Sequence, residues 1–307
     1  MKLCIVGDTH FTTKAPDRRI DDYYATQLNK FEQVLKIYTH KECDILIQVG
    51  DLFDSPYTSD LVKSDLIRLL DVYLKRPMLC VYGQHDIFGH AKQSYNKTPM
   101  AVLEAANYVH LLSDIGYVSK DMSIFGASYG EEIPSFNAPL DIYNVLVIHE
   151  MIGPKDLYPG QDIIKPRRLL EEQEYDLICC GDFHYTFCHI SNGRIILNPG
   201  ALMRKTIGEN DLAHKPCVMI VDTIERSVDK VFLDVKPVAD VFDLSDISKD
   251  KTNKDEVMAF IESIKKEQGI HVTWIDLLKK VLEEKKISKK TCDIIYNEIE
   301  EMRSENK

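Results

Sequence analysis

Nowhere in its 307 residues does the chain approach the roughly 18 consecutive apolar residues that a membrane-spanning helix requires. The amino terminus, Met1 to Gly7, is also too short an apolar run for a secretory signal and leads directly into Asp8, so a cytoplasmic location is expected. Eight cysteines are present (Cys4, Cys43, Cys80, Cys179, Cys180, Cys188, Cys217, Cys292), but none has the CxxC spacing of a redox or zinc motif. Several lie inside apolar runs, and reduced core thiols are expected. Positive charge is in short supply, with 38 Lys and Arg against 49 Asp and Glu and a formal net charge of -11. This balance argues against a general nucleic-acid coat, because non-specific affinity comes mainly from cations neutralising phosphates. A nucleic-acid substrate would need local basic patches. The candidates are Lys14, Arg18 and Arg19; Lys165, Arg167 and Arg168; and Arg204 with Lys205. Taken alone, each short cluster reads as solvated surface.

The length and a hydrophobic content of 44% suit one large α/β domain with a small appendage. Apolar, β-branched runs at Leu3 to Val6, Ile45 to Val49, Met78 to Tyr82, Val145 to Ile148, Leu177 to Cys180, Ile195 to Leu197, Val218 to Val221 and Val231 to Val235 read as strands. Between the first two, Ile20, Tyr23, Tyr24, Leu28, Phe31, Leu35 and Tyr38 recur at steps of three and four, which predicts an amphipathic helix. Leu61 to Leu74 and Met100 to Ala106 are also predicted helical. Strand and helix alternate in the manner of a mostly parallel sheet covered by helices. Later strands follow closely through turns such as Ser191-Asn192-Gly193, so a second, partly antiparallel sheet is expected to stack on the first. The expected fold is a layered α/β/β/α sandwich over residues 1–237. A polar linker over 238–254 and a small helical domain over 255–307 should follow. The appendage's mixed charges suit plain solvation, or capping of substrate or docking of a partner.

Chemistry collects where strands end. Asp8-Thr9-His10 follows the first strand, Gly50-Asp51-Leu52-Phe53-Asp54 the second and Gly83-Gln84-His85-Asp86 the third; His149-Glu150 and Gly181-Asp182-Phe183-His184 follow later ones. Open α/β sheets place ligand sites at these carboxyl ends. Core packing asks for neither Asp nor His at five strand termini. Asp8, Asp51 and Asp182 brought together repel one another until protons or cations intervene, and His10, His149 and His184 add neutral nitrogen ligands. Such an oxygen and nitrogen set suits Mn²⁺, Fe or Zn²⁺, with its carboxylates tilting toward Mn²⁺. There are enough ligands for two ions about 3.5 to 4 Å apart, a spacing suited to attack on phosphorus, with Asp51 as the expected bridge.

The series D-x-H, G-D-x-x-D, G-x-H-D, a lone strand-end His, and G-x-x-H followed by Asn198-Pro199-Gly200 resembles the calcineurin-like metallophosphoesterase superfamily over roughly residues 1 to 235. Gly83 to His90, the helix start near Thr98, and Asn198 to Arg204 resemble most the SbcD-type nucleases of double-strand-break repair. The resemblance implies that Asp8, His10, Asp51 and His184 hold one metal, and that Asp51, Gln84, His149 and Asp182 hold the other. It implies that His85 protonates the leaving oxygen while Asp86 orients it. It further implies a Mn²⁺-dependent DNA exo- or endonuclease, with Mg²⁺, Fe or Zn²⁺ as other metals, working as a homodimer with an SbcC-like coiled-coil ATPase. The helix bearing Tyr23, Tyr24, Leu28 and Phe31 could supply the dimer face. Two positions depart from the family pattern: Gln84 stands where Asn is usual, and Asp182 where His is usual. Two other readings stay open, a small-substrate phosphoesterase and a non-catalytic subunit that binds DNA ends or serves assembly.

Overall fold

A computed structural model describes residues 1–245, apart from 115, 135–140, 158–160 and 162. Twelve strands occur among the described residues: β1 (Lys2–Val6), β2 (Ile45–Gln48), β3 (Met78–Cys80), β4 (Val109–Leu111), β5 (Tyr117–Val118), β6 (Met122–Ala127), β7 (Tyr143–Ile148), β8 (Leu177–Cys180), β9 (Phe187–Ser191), β10 (Arg194–Asn198), β11 (Cys217–Asp222) and β12 (Ser227–Phe232). They form two six-stranded sheets, ordered β12-β11-β1-β2-β3-β4 and β5-β6-β7-β8-β10-β9. Within each sheet four neighbouring strands run parallel, β1 to β4 in one and β6, β7, β8 and β10 in the other. Antiparallel strands complete the edges.

Side chains alternate between the faces of each strand, and this period of two builds three cores. Leu3 and Ile5 of β1, Ile45 and Ile47 of β2, and Ile195 and Leu197 of β10 point into the layer between the sheets. Cys4 and Val6 point the other way, toward α1 (Tyr23–His40), α2 (Asp60–Tyr73) and α3 (Pro99–Ala105). Ile196 faces the layer under α4 (Pro166–Glu172). Each fully buried Leu or Ile contributes about 1.5–3 kcal/mol relative to exposure, so a strand shifted by one residue would lose both faces at once. The α/β/β/α sandwich read from the sequence is the observed architecture.

Two expectations change. Tyr23 and Phe31 are buried in the core beneath the first sheet, and Tyr24 and Leu28 pack against it, so this stripe of α1 faces the protein's own core and offers no dimer face. The compact unit extends to Leu244. Val241 and Phe242 are buried in it, so residues 238–244, expected as linker, belong to the sandwich. The rest of the linker and the helical segment expected at 255–307, with Trp274 and Cys292, lie outside the described residues. Among the described cysteines all are free, and only Cys188 is exposed. No helix among the described residues is long and apolar enough to cross a membrane.

Candidate metal centre

The loops after β1, β2, β3, β7 and β8 converge at the carboxyl ends of the parallel strands, as open α/β sheets dictate. Pairing continues past the ends of β1 and β2: Thr9 N and His10 N both donate to the Asp51 carbonyl, at 3.1 and 2.9 Å. That junction forces His10 and Asp51 into the left-handed region, with φ of 49° and 52°, and Asp182 after β8 has φ of 67°. Non-glycine residues held there cost about 1–3 kcal/mol each, a strain typical of functional sites. Close approach explains two of the glycines. A Cβ on Gly50, itself at φ 101°, would lie 2.1 Å from His149 Nδ1, and one on Gly83 would lie 2.0 Å from Asp51 Oδ1.

Two triads share one carboxylate. The ligand atoms of Asp8, Asp51 and His149 lie within 4.8 Å of one another, as do those of His10, Asp51 and His85. His184 joins through its Nε2, 3.1 Å from His10 Nε2. His149 donates its Nδ1–H to the Val49 carbonyl at 2.7 Å, which turns Nε2 toward Asp51 Oδ2 at 3.5 Å. Fixing the remote nitrogen in this way is how a metal-ligating histidine is held. The two departures from the family pattern touch each other: Gln84 Nε2 donates to Asp182 Oδ1 at 2.8 Å. Asp182 also donates its backbone N–H to Asp8 Oδ1 at 3.2 Å, but it falls outside both triads.

Whether the residues suit metal ions can be tested on their unsatisfied atoms. Of the eight buried side-chain polar atoms without a hydrogen-bond partner among the described residues, five are here: Asp8 Oδ2, His10 Nδ1, Asp51 Oδ2, Gln84 Oε1 and His149 Nε2. Buried polar atoms are rarely left unpaired, and these are oxygen and nitrogen donors of the kind divalent ions accept. Electrostatics agrees. Burial raises the Asp8 carboxyl to about 7, with Asp51 adding to the rise and His149 opposing it. Burial also pushes Asp51 up, but the neighbouring His149 outweighs it and holds the carboxyl well below its usual range. Burial alone would lower His149, yet Asp51 and Asp8 raise it to about 10. His10 and His184 go the other way, lowered by burial and by the Lys205 ammonium, His184 to about 4.

His85 is exposed, and its ring meets that of His10 edge-on at 5.0 Å. Its orienting partner differs from the expected one. Asp86 accepts backbone N–H groups from Leu52, Phe53 and Gly83 at 3.2, 2.9 and 2.9 Å, which pins two ligand loops together. His85 Nδ1 instead faces the Asp54 carbonyl oxygen at 3.2 Å, and its backbone N–H donates to Asp51 Oδ1 at 2.9 Å. Asp54 also bonds Lys205 Nζ at 2.8 Å and lies 3.5 Å from His10 Nδ1.

Gln27 escaped the sequence reading. It is wholly buried on α1 and donates to the His10 and Thr9 carbonyls at 2.7 and 3.3 Å, while its Oε1 accepts Thr12 N–H at 3.2 Å. The signal was present, since a glutamine interrupts the apolar stripe between Tyr23 and Phe31. His214 is buried against the Ala201 carbonyl at 2.7 Å, and the exposed His90 ring packs on Tyr129; neither belongs to the metal cluster. The basic clusters separate as well. Lys165, Arg167 and Arg168 each pair with a carboxylate on the surface around α4. Arg18 and Lys205, the latter paired with Asp54, line a groove of about 660 Å³ that includes His184, Tyr185 and the acidic Asp17 and Asp211.

The family described as the calcineurin-like phosphoesterase superfamily domain matches residues 1–226. The chain is 22% identical over 261 residues to the double-strand break repair protein MRE11 of Encephalitozoon cuniculi, a match covering 69% of this chain and 43% of that protein. Among solved structures it is similar to TT1561 of Thermus thermophilus, at 12% identity and a TM-score of 0.48, covering 75% of this chain and 98% of that one. It is likewise similar to a dimetal phosphatase from Danio rerio, at 10% identity and a TM-score of 0.48, covering 76% and 96%.

Proposed function

The chain belongs to the calcineurin-like phosphoesterase superfamily, and from that premise we propose that it is a two-metal phosphodiesterase acting on DNA, the nuclease subunit of a double-strand-break repair or recombination complex. The observation that carries the metal chemistry is the pair of triads sharing Asp51, with five buried ligand-type atoms left unsatisfied around it. In this reading Asp8, His10, Asp51 and His184 would hold one ion, and Asp51, Gln84, His149 and Asp182 the other, with Asp8 also close to Asp51 and His149 on the second side and Mn²⁺ suited to the carboxylate-rich set. Two divalent ions held there would neutralise charge on the phosphoryl oxygens and would supply a nucleophile at neutral pH.

The chain's own residues do the rest. With Nδ1–H given to the Asp54 carbonyl, His85 keeps its exposed Nε2 for a proton, which it delivers to the leaving oxygen. Asp86 fixes the loop that carries it. Arg18 and Lys205 set cations along the groove beside His184, where a strand's phosphates would lie and be gripped without regard to sequence. Similarity to a protein described as acting in double-strand break repair supports DNA as substrate, and this chain spans 43% of that protein's length. A homodimer and a coiled-coil ATPase partner belong to the same proposal. One observation favours a second reading, a small-substrate phosphoesterase: the net charge of -11 suits a small anion better than a polyanion.

The deciding experiment is cleavage of end-labelled duplex and single-stranded DNA, beside a nitrophenyl phosphodiester, by wild type and His85→Ala with Mn²⁺. DNA cleavage by wild type, lost by on the order of 10²-fold or more in the variant at unchanged metal content, is the expected result. Hydrolysis of the nitrophenyl ester with no cleavage of either DNA would favour the small-substrate enzyme or a requirement for the ATPase partner. No hydrolysis of any substrate by protein that holds one ion or none would favour the non-catalytic subunit.

A further inference from the structure

A second polar cavity, of about 300 Å³, opens along α1 and is lined by none of the proposed metal ligands. Its cations are Arg19, Lys30, Arg204 and Lys236, and its carboxylates are Asp22 and Asp234. Arg19 is already satisfied. Its guanidinium forms paired 2.8 Å bonds to Asp21, donates to the Arg204 carbonyl at 2.8 Å, and lies over the Tyr23 and Phe242 rings at 4.8 and 4.9 Å. Asp22 is committed to capping α1, where it accepts Ala25 N–H at 3.0 Å.

Lys30 and Arg204 are the anomaly. They are only 6% and 7% exposed, yet among the described residues neither forms an ion pair with a carboxylate. Each instead donates to a backbone carbonyl at 2.7 Å, Lys30 to Asp234 and Arg204 to Lys236. A carbonyl takes up one donor and cannot cancel a charge. Buried cations are almost always paired, because the desolvation penalty is otherwise unrelieved. Here the two also repel each other: burial first, then Arg204 and Arg19, lower the Lys30 ammonium to about 8, with Asp234 and Asp21 opposing the shift only in part. Carboxylates stand near this cavity, but among the described residues none pairs directly with Lys30 or Arg204, so their charge is only partly compensated.

We propose that this cavity binds a phosphate group, held between the Lys30 ammonium and the Arg204 guanidinium with Lys236 at the mouth. The guanidinium fork matches the paired oxygens of a phosphate, and the ammonium supplies compact charge beside it. Exposed Asp22 and Asp234 at the rim disfavour a polyanion laid flat across the opening and favour a single phosphate entering it. The site is separate from the metal centre and does not depend on which ester that centre cleaves.

The test is the thermal midpoint of the full chain, metal-loaded, against rising inorganic phosphate, for wild type, Lys30→Met and Lys236→Gln. Phosphate bound at the metal centre affects all three alike and cancels from the comparison. Wild type should gain about 3 °C at ten times the dissociation constant. Lys30→Met keeps the aliphatic stem, so it should match or exceed wild type without phosphate and lose the gain. Lys236→Gln, at an exposed position, should need roughly five times more phosphate, equivalent to losing one exposed charge contact. If Lys30→Met does not fold, Lys236→Gln decides. A flat wild-type curve, or equal gains in all three proteins, overturns the proposal. A parallel titration with a phosphorothioate-linked hexathymidylate, chosen to resist cleavage at the metal centre, separates the sources. A gain that the variants also lose assigns the pocket to a strand phosphate, and one that they keep assigns it to free phosphate.

Discussion

The two halves of the proposed metal centre are prepared differently. Around the first ion, His10 and His184 are kept neutral by burial and by Lys205, so their nitrogens are free for a metal at any pH near neutrality. Around the second, His149 sits against Asp51 and Asp8 and holds a proton up to about 10, while Gln84 and Asp182 are tied to each other. One half is preset by isolation from charge, and the other is balanced by internal partners that a metal must displace. The difference teaches that matching residue types do not make equivalent sites, because the neighbours decide which ligand atoms are free.

The largest blow to this comparison should come from the residue both halves share. Asp51→Asn should remove both ions and lower hydrolysis by about 10³-fold or more, since bound metals supply several kcal/mol of charge stabilisation. Metal analysis that still found one ion would mean that Asp51 does not bridge. Next in size is the Gln84–Asp182 pair. Gln84→Asn breaks the 2.8 Å contact from one side and Asp182→His from the other. Each should weaken the second ion by about 10- to 100-fold, whereas the double variant, restoring the family's residue types, should recover most of the loss. Calorimetric titration of metal reads this directly, and strictly additive losses would show that the pair is not a unit.

Most of the site was legible because strand ends announced it. Asp8, His10, Asp51, His149 and His184 are polar residues placed where apolar runs stop, and the structure gathers them. Partnerships were not legible. Gln84 and Asp182 lie 98 residues apart, and nothing local couples them. Asp86 spends its carboxylate on three backbone N–H groups from two loops, partners that carry no sequence signal. In the fold, β6 escaped notice because buried Ser123 interrupts its apolar run; its hydroxyl is satisfied by Asn144 on β7. The apolar stripe of α1 was visible, but periodicity alone cannot say whether such a face meets its own sheet or a second chain.

Acidity offers a sharper and smaller contrast. A ligand histidine must be neutral, so the second ion has to displace the His149 proton. Raising pH from 7.5 to 9 should therefore tighten the second ion by about tenfold per unit. The first ion should hardly respond over that range, because His10 and His184 are already neutral and Asp8, at about 7, is already mostly ionised. Parallel slopes for the two ions would erase the proposed asymmetry. Gln27→Leu tests the first half from beneath: it strips the support under the Thr9 and His10 carbonyls, and should cost about 1–3 kcal/mol of stability and roughly tenfold in the first ion alone.

The smallest effect is expected where basic residues pair on an exposed helix surface lined by none of the proposed metal ligands. Arg167 and Arg168 pair four residues along α4 with Glu171 and Glu172 at 2.8 and 2.7 Å, and all four side chains are at least half exposed. Exposed pairs of this kind contribute at most about 0.5 kcal/mol each. Replacing both arginines with Gln should leave stability within about 1 kcal/mol and leave the dependence of DNA affinity on salt unchanged. Lys205, although paired with Asp54 at 2.8 Å, lies in the proposed DNA groove beside His184, and Lys205→Gln should reduce the slope of log affinity against log salt by up to about one, the signature of one lost phosphate contact. A slope altered by the α4 substitutions instead would move the path of the DNA from the metal-side groove to the helix covering the second sheet.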